Sequence, residues 1–237
     1  MGILDIFNRK TSLNQSGVLR GSKDSHSHIL FGVDDGIKTL EESLEALELE
    51  EAMGFTEVWC TPHVMEDVPN RSETLMARFS ELKEAYKGSL RLNLAAEYML
   101  DTLFEERFSA RDLLTMDDDV LLVETSTWTP PLSYKDIFRE LQKAGYRPML
   151  AHPERYRYMT EEDYDELFRM GVRMQLNLPS VVGYYGKTAM QKASMLLNKG
   201  YYTNIGTDCH RPKALLEPYS KDLLAKADAR SMMKIVK

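Results

Sequence analysis

The sequence predicts an α/β fold whose parallel strands wrap into a TIM-like (β/α)7 barrel, and three observations carry that prediction. One unit recurs: an amphipathic helix, a glycine that ends it, a short β-type run and a polar motif. Helices alternating with strands in this way call for a parallel sheet. Each polar motif closes its strand, which places the motifs together on the face where barrel enzymes carry their sites. The length, 237 residues, is about one barrel's worth of chain. A doubly wound open sheet is the structural alternative, and it would gather its site at a single switch point.

Residues 1–22 open with Met1-Gly2-Ile3-Leu4-Asp5-Ile6-Phe7 and run into a Ser/Asn/Gln/Gly stretch without apolar period. They read as a flexible N-terminal tail, leaving residues 23–237 as one barrel domain. Ile3, Leu4, Ile6 and Phe7 ahead of Arg9 and Lys10 would make at most a weak peripheral membrane anchor. Gly2 lacks the Ser or Thr that myristoylation wants at position six, where Ile6 stands. Thr39-Leu40-Glu41-Glu42 forms a capping box, with Leu40, Leu44 and Leu47 on one face of the helix it starts. Thr160 starts another helix the same way, with Tyr164, Leu167 and Phe168 at helical spacing. Gly54, Gly145, Gly171 and Gly200 stand where helices stop, as expected of a residue that takes the left-handed conformation freely. The strands follow at Val58-Trp59, Arg91 to Ala95, Val120 to Val123, Met149-Leu150, Met174 to Leu176 and the run before Asp208.

Composition narrows the function. A hydrophobic content of 43% with 28% charged residues is ordinary for a soluble globular protein. No apolar run approaches the ~18 residues of a membrane span. The net charge of −7 and the absence of clustered Lys/Arg argue against a nucleic-acid partner. Cys60 and Cys209 make neither a disulfide framework nor a zinc-knuckle spacing, and no signal peptide is evident, so cytoplasm is the expected compartment.

All five histidines lie in motifs that close strands: Asp24-Ser25-His26-Ser27-His28, Cys60-Thr61-Pro62-His63, Ala151-His152-Pro153-Glu154-Arg155 and Thr207-Asp208-Cys209-His210. Ala96-Glu97 and Val123-Glu124 add carboxylates at equivalent points. His26 and His28, two apart on a strand, share one face and can meet one metal. Imidazole and carboxylate without thiolate suit Mn, Fe, Zn or Co. Cysteine chemistry finds no support, because six residues after Cys60 stands Glu66, and after Cys209 Leu215, where a cysteine-dependent tyrosine phosphatase needs arginine.

These motifs, with Val33-Asp34-Asp35-Gly36 and the run on to Tyr156, resemble the PHP (polymerase and histidinol phosphatase) superfamily from Asp24 to about His210. Within it the chain looks most like the bacterial metal-dependent protein tyrosine phosphatases of capsule and exopolysaccharide clusters. The resemblance implies a distorted (β/α)7 barrel of the PHP type holding three divalent ions, manganese first among them. It implies that His26, His28, Glu97 and Asp208 hold one ion, that Glu97 bridges to a second completed by Glu124 and His152, and that Asp35, His63 and His210 hold the third. Asp34 competes with Asp35 for that last place. It further implies Arg155 as a phosphate clamp, with Arg211 as a second candidate, and a phosphotyrosine protein, a bacterial tyrosine autokinase, as partner. Three divalent ions outweigh four ligand carboxylates, so such a site attracts phosphate inside an acidic protein and supplies hydroxide near neutral pH. Tyr156, Tyr184 and Tyr185 are candidates to flank a substrate ring or to pack.

Two rivals stay open on sequence alone. A small-molecule PHP phosphatase such as histidinol phosphatase tends to carry His where Asp35 and Glu124 stand here. A non-catalytic metal-binding scaffold would be expected to have lost ligands, and none is missing. An amidohydrolase-like enzyme shares the His-x-His opening but usually adds a strand-borne Lys and has different downstream motifs.

Overall fold

The structure is a computed structural model and describes residues 10–236. Its fold is mixed α/β, with parallel strands curled into a half-barrel and helices packed outside. The strands in chain order are β1 (Lys10–Thr11), β2 (Lys23–Ser27), β3 (Glu57–Cys60), β4 (His63–Val64), β5 (Arg91–Leu94), β6 (Glu97–Met99), β7 (Val120–Glu124), β8 (Arg147–Leu150), β9 (Arg173–Asn177), β10 (Asn204–Gly206) and β11 (Leu224–Ala225). The helices are α1 (Leu40–Met53), α2 (Ser72–Ala85), α3 (Thr102–Ala110), α4 (Tyr134–Lys143), α5 (Glu161–Arg169), the single turn α6 (Leu178–Val181), α7 (Gly186–Lys199), α8 (Pro212–Ser220) and α9 (Lys226–Met232).

Six strands run β10-β9-β8-β7-β6-β4, and three run β2-β3-β5. Pro62 has no N–H to give the ladder, which separates β3 from β4, and Ala95-Ala96 separates β5 from β6 at the same level. The two breaks stay in step, because Ala95 N donates to Cys60 O at 2.9 Å and Glu97 N to Pro62 O at 3.0 Å. At the other edge His28 N donates to Cys209 O at 3.0 Å and Asp208 N to His26 O at 2.8 Å, tying β2 to the segment after β10.

Strand alternation sorts the core into two faces. On β7, Leu121 and Val123 join the large cluster beneath the helices, whereas Val120 and Leu122 join a smaller one with Trp59, Ala95, Met116, Met149 and Ala151. Glu124 is in phase with Val120 and Leu122, so the inner face carries it. The capping box at Thr39 forms as expected, Thr39 Oγ1 accepting from Glu42 N and Glu42 Oε2 from Thr39 N, both at 3.3 Å. Helix α1 buries Ser43, Ala46, Leu47 and Glu50, while Leu40 and Leu44 are only half-buried. On α5, Phe168 is not core: it is exposed and stacked on Tyr201, with ring centroids 4.2 Å apart.

The expected tail over residues 1–22 is corrected from Lys10 onward. Strand β1 pairs antiparallel with β11, and Leu13, Val18 and Leu19 are fully buried. This segment carries no apolar period because it is irregular backbone pinned by local bonds, such as Ser16 Oγ to Leu13 O and Ser22 Oγ to Leu19 O. Residues 1–9, the part that would serve as an anchor, lie outside the described residues. No described helix is long and apolar enough to cross a membrane.

Candidate metal centre

The strand ends bring all nine sequence-predicted metal ligands together. They fall into four overlapping groups, each with its donor atoms within 4.8 Å of one another: His28, Asp35, His63 and His210; His26, His28 and Asp208; His26, Glu97 and His152; and His63, Glu97 and Glu124. The register that puts His63 opposite Glu97 on β4 and β6 and Met99 opposite Glu124 on β6 and β7 sets the last group. His152 and Asp208 follow β8 and β10 on left-handed backbone, with φ of 34° and 52°. Non-glycine residues held there cost energy and concentrate at functional sites.

Glu97 is the centre of the cluster. Its Oε2 lies 3.1 Å from His63 Nδ1, 3.2 Å from His26 Nε2 and 3.3 Å from His28 Nε2, yet it is fully buried and in hydrogen-bond geometry with none of them. Glu124 Oε1 and His63 Nδ1 are likewise buried without a hydrogen bond, 3.2 Å apart. Buried polar atoms are nearly always paired. His152 Nε2 does bond Glu97 Oε1 at 3.0 Å, and His26 Nε2 lies 3.1 Å from His28 Nε2, but the three atoms left unpaired, Glu97 Oε2, Glu124 Oε1 and His63 Nδ1, converge as donors around cations would, so the side chains present suit divalent metal ions. His63 stands between two groups, its Nδ1 facing Glu97 and Glu124 and its Nε2 lying 3.6 Å from Asp35 Oδ1.

Contacts distinguish Asp34 from Asp35. Asp34 Oδ2 is 2.8 Å from His28 Nδ1 and accepts from His63 N at 3.0 Å, while its Oδ1 accepts from Gly36 N. It therefore turns His28 so that Nε2 faces the cluster. Asp35, its side chain 70% exposed, reaches His63 and His210 at 3.6 and 3.5 Å. Gln175 does for His26 what Asp34 does for His28, its Oε1 lying 2.9 Å from His26 Nδ1. Such partners fix ring orientation and ligand basicity. Asn177 donates to Asp208 Oδ2 at 2.8 Å. Sequence reading missed Gln175 and Asn177, although two buried amides at i and i+2 in an apolar strand were a signal available to it.

The electrostatics are those of carboxylates balanced by imidazolium. Burial opposes ionisation of Glu97 and Asp208, but the nearby histidines, joined by Arg155 at Asp208, hold both carboxyls well below the usual range. Asp34 is lowered to about 2 against burial by its bond with His28. Burial and His28 oppose protonation of His63, yet Glu97 and Glu124 prevail and raise it to about 10. His26 and His28 are also raised. A metal entering such a cluster displaces these protons.

Arg155 donates to Asp208 Oδ2 at 2.6 Å and lies 4.4 Å over the Tyr185 ring. It borders a cleft of about 430 Å³ with Tyr184, Tyr185, His210 and Arg211. Arg211 is exposed at the mouth and also borders a second cleft of about 400 Å³ beside Asp35 and Lys38. Tyr156 is fully buried, its hydroxyl donating to Ala151 O, so it packs rather than flanking a ligand. Burial pushes the thiols of Cys60 and Cys209 well up, which leaves neither as a nucleophile.

Behind His26, Asp24 accepts from His26 N and Thr207 N, and the Thr207 hydroxyl bridges Asp24 Oδ2 and Glu50 Oε1. Burial, then the charge of Asp24, pushes Glu50 well up, so it is held protonated. A carboxyl raised on folding stabilises fully below its unfolded value of about 4.3, and that contribution is lost as pH rises toward the folded value. Between the two values the protein loses roughly 1.4 kcal/mol per pH unit. Glu50→Gln mimics the protonated acid and should remove this dependence. Unfolding free energies of both proteins at pH 5, 6 and 7 test it; a difference that stays constant with pH would refute the assignment.

Comparisons with known proteins agree with this geometry. Residues 22–230 match the family model described as capsular polysaccharide synthesis, CpsB/CapC. The tyrosine-protein phosphatase CpsB of Streptococcus pneumoniae is 30% identical over 224 residues, 86% of this chain and 89% of its own length. The tyrosine-protein phosphatase YwqE of Bacillus subtilis is 27% identical over 197 residues, 80% and 78% of the two chains. A solved chain from the structures of YwqE and CpsB, described as metal-dependent tyrosine phosphatases, superposes with a TM-score of 0.75 at 24% identity, covering 90% of this chain and 86% of that one. The fold, the family model and these relatives coincide, and the chain belongs to the CpsB/CapC family of capsular polysaccharide synthesis.

Proposed function

We infer that this chain is a metal-dependent protein tyrosine phosphatase whose strands make a distorted (β/α)7 barrel of the PHP type around three divalent ions, manganese first among them. The observation that carries the reading is Glu97 Oε2, buried among three imidazole nitrogens and bonded to none. The main-chain bonds between β2 and the segment after β10 support closure of the barrel.

On this reading His26, His28, Glu97 and Asp208 hold one ion, Glu97, Glu124 and His152 a second, and Asp35, His63 and His210 the third. Bound divalent ions supply a deprotonated water as nucleophile near neutral pH and positive charge for the phosphoryl oxygens. Asp34 and Gln175 keep two imidazoles aimed. Arg155, with Arg211 at the mouth, clamps phosphate oxygens, because a guanidinium matches that geometry in bidentate fashion. Tyr185 beneath Arg155 limits where that clamp can swing. The leaving phenol has a pKa near 10, so no strong general acid is required.

The substrate is a phosphotyrosyl protein, with an autophosphorylating bacterial kinase of capsule or exopolysaccharide synthesis as partner, and the site of action is the cytoplasm. Hydrolysis of a phosphotyrosyl peptide by the manganese-loaded protein tests the reading, beside a phosphoseryl peptide, histidinol phosphate and a chelated sample. Selective, chelator-sensitive release from phosphotyrosine is expected. With Arg155→Ala, kcat/KM should drop by roughly 100-fold, the scale of one lost charge-stabilising donor. Preference for histidinol phosphate would overturn the reading.

A further inference from the structure

Next to the cleft at the metal centre lies a second hollow of about 380 Å³, and the stacked pair Arg155 and Tyr185 forms the wall between them. Its other walls carry Arg157, Lys187 and Lys192. In a chain of net charge −7, four cations around one small hollow are unexpected. Among the described residues Arg157, Lys187 and Lys192 form no ion pair. The Arg157 guanidinium lies 3.6 Å over the Trp128 ring, and its main-chain N–H donates to Thr127 O at 2.9 Å, so the charge is held in place without being neutralised. Lys192 donates to the carbonyls of Tyr156 and Met159, which position the ammonium, and Asp163 acts on it only from beyond ion-pair distance. The single carboxylate bordering the hollow, Glu154, is 1% exposed and already accepts from Asn177 N and the Tyr202 hydroxyl. Helix α7 begins at this hollow with neither a side-chain cap nor an acidic residue in its first turn, so its dipole adds to the same sign.

We propose that this hollow is an exosite for an anionic side chain of the substrate polypeptide, close in sequence to the phosphotyrosine being hydrolysed. The proposal rests on the phosphatase reading and deepens it. The phosphotyrosine enters the cleft on one side of the Arg155–Tyr185 wall, and its neighbour meets Arg157, Lys187 and Lys192 on the other. Free phosphotyrosine cannot span the wall, so the exosite discriminates among peptides. Cations at a rim raise encounter rate and affinity in a salt-dependent way and leave the chemical step alone.

The test compares kcat/KM of the metal-loaded protein on matched phosphotyrosyl peptides whose flanking residues are neutral, carry Glu, or carry phosphoserine. At low ionic strength the anionic peptides should be preferred by roughly fivefold, through KM with kcat unmoved, as expected of partly exposed charge pairs. The preference should fade at high salt and largely disappear in Arg157→Ala/Lys187→Ala, measured as the ratio of anionic to neutral peptide within each protein. Preference for the Glu or for the phosphoserine series identifies the group as carboxylate or phosphoryl, and either supports the exosite. Equal turnover of neutral and anionic peptides, or a preference that survives the double substitution, removes the exosite and leaves the phosphatase reading intact. Hydrolysis of no peptide at all would overturn that reading and the exosite with it.

Discussion

Glu97→Gln is expected to cost the metal centre its ions and phosphatase turnover roughly three orders of magnitude or more, the several kcal/mol that metal stabilisation of the transition state supplies. Glutamine keeps the shape of the side chain and removes its charge, and one of its two positions becomes an N–H donor facing imidazole nitrogens about 3 Å away. The same carboxylate is held ionised against burial by His26 and His63, so without metal its loss strands buried imidazolium charge. Breaking such a buried network costs about 3–5 kcal/mol. Because the folded pKa of Glu97 is lowered, the stability it contributes is present above the ordinary carboxylate value and is lost as pH falls below it. Metal content by elemental analysis, peptide hydrolysis and the free energy of unfolding at pH 7 check these three statements. A variant that keeps full metal content and wild-type turnover would remove Glu97 from the centre.

The convergence of the candidate metal ligands was legible because their chemistry is carried by residue type and strand phase together. Histidine at two-residue spacing, and a carboxylate in phase with the apolar residues of β7, specify which face of a strand they occupy without any tertiary information. The helix stops were legible for a similar local reason: Gly54 and Gly200 end α1 and α7 in left-handed backbone, with φ of 103° and 71°. What the sequence left open depends on contacts distant along the chain. Asp34 and Asp35 are adjacent carboxylates, and only packing against His28 and His63 divides them into one that orients rings and one that faces the cluster. Residues 10–22 read as a tail because Leu13, Val18 and Leu19 show no period, yet the C-terminal strand β11 and Tyr219 O give that irregular backbone its partners. Phe168 sits at helical spacing beside Leu167, but the face is lost one residue on, and stacking against Tyr201 replaces burial.

Substituting Gly206 by alanine should impair the centre from behind, without replacing a ligand. The added Cβ would lie 2.6 Å from both His26 Cβ and Gln175 Nε2, and 3.1 Å from His26 N. The φ of Gly206 is not in the left-handed region, so the penalty is steric. Gln175 has little room to retreat, because its Oε1 is engaged with His26 Nδ1 at 2.9 Å and with His152 N at 3.3 Å, and its Nε2 donates to Leu176 O. Either His26 moves off the cluster or Gln175 gives up the bond that aims it. Overpacking of this kind costs about 1–3 kcal/mol. Disturbing a residue that orients a ligand lowers metal affinity by about 10- to 100-fold. Metal titration and thermal unfolding of Gly206→Ala measure both effects, and wild-type values in both would show that the close approach does not constrain the site. Gln175→Ala in the same background separates the two routes by a double-mutant cycle. If the methyl presses chiefly on the Gln175 amide, truncating that side chain recovers stability while metal affinity stays low. If it presses on His26, whose main chain is fixed between β3 and the segment after β10, the two stability losses add.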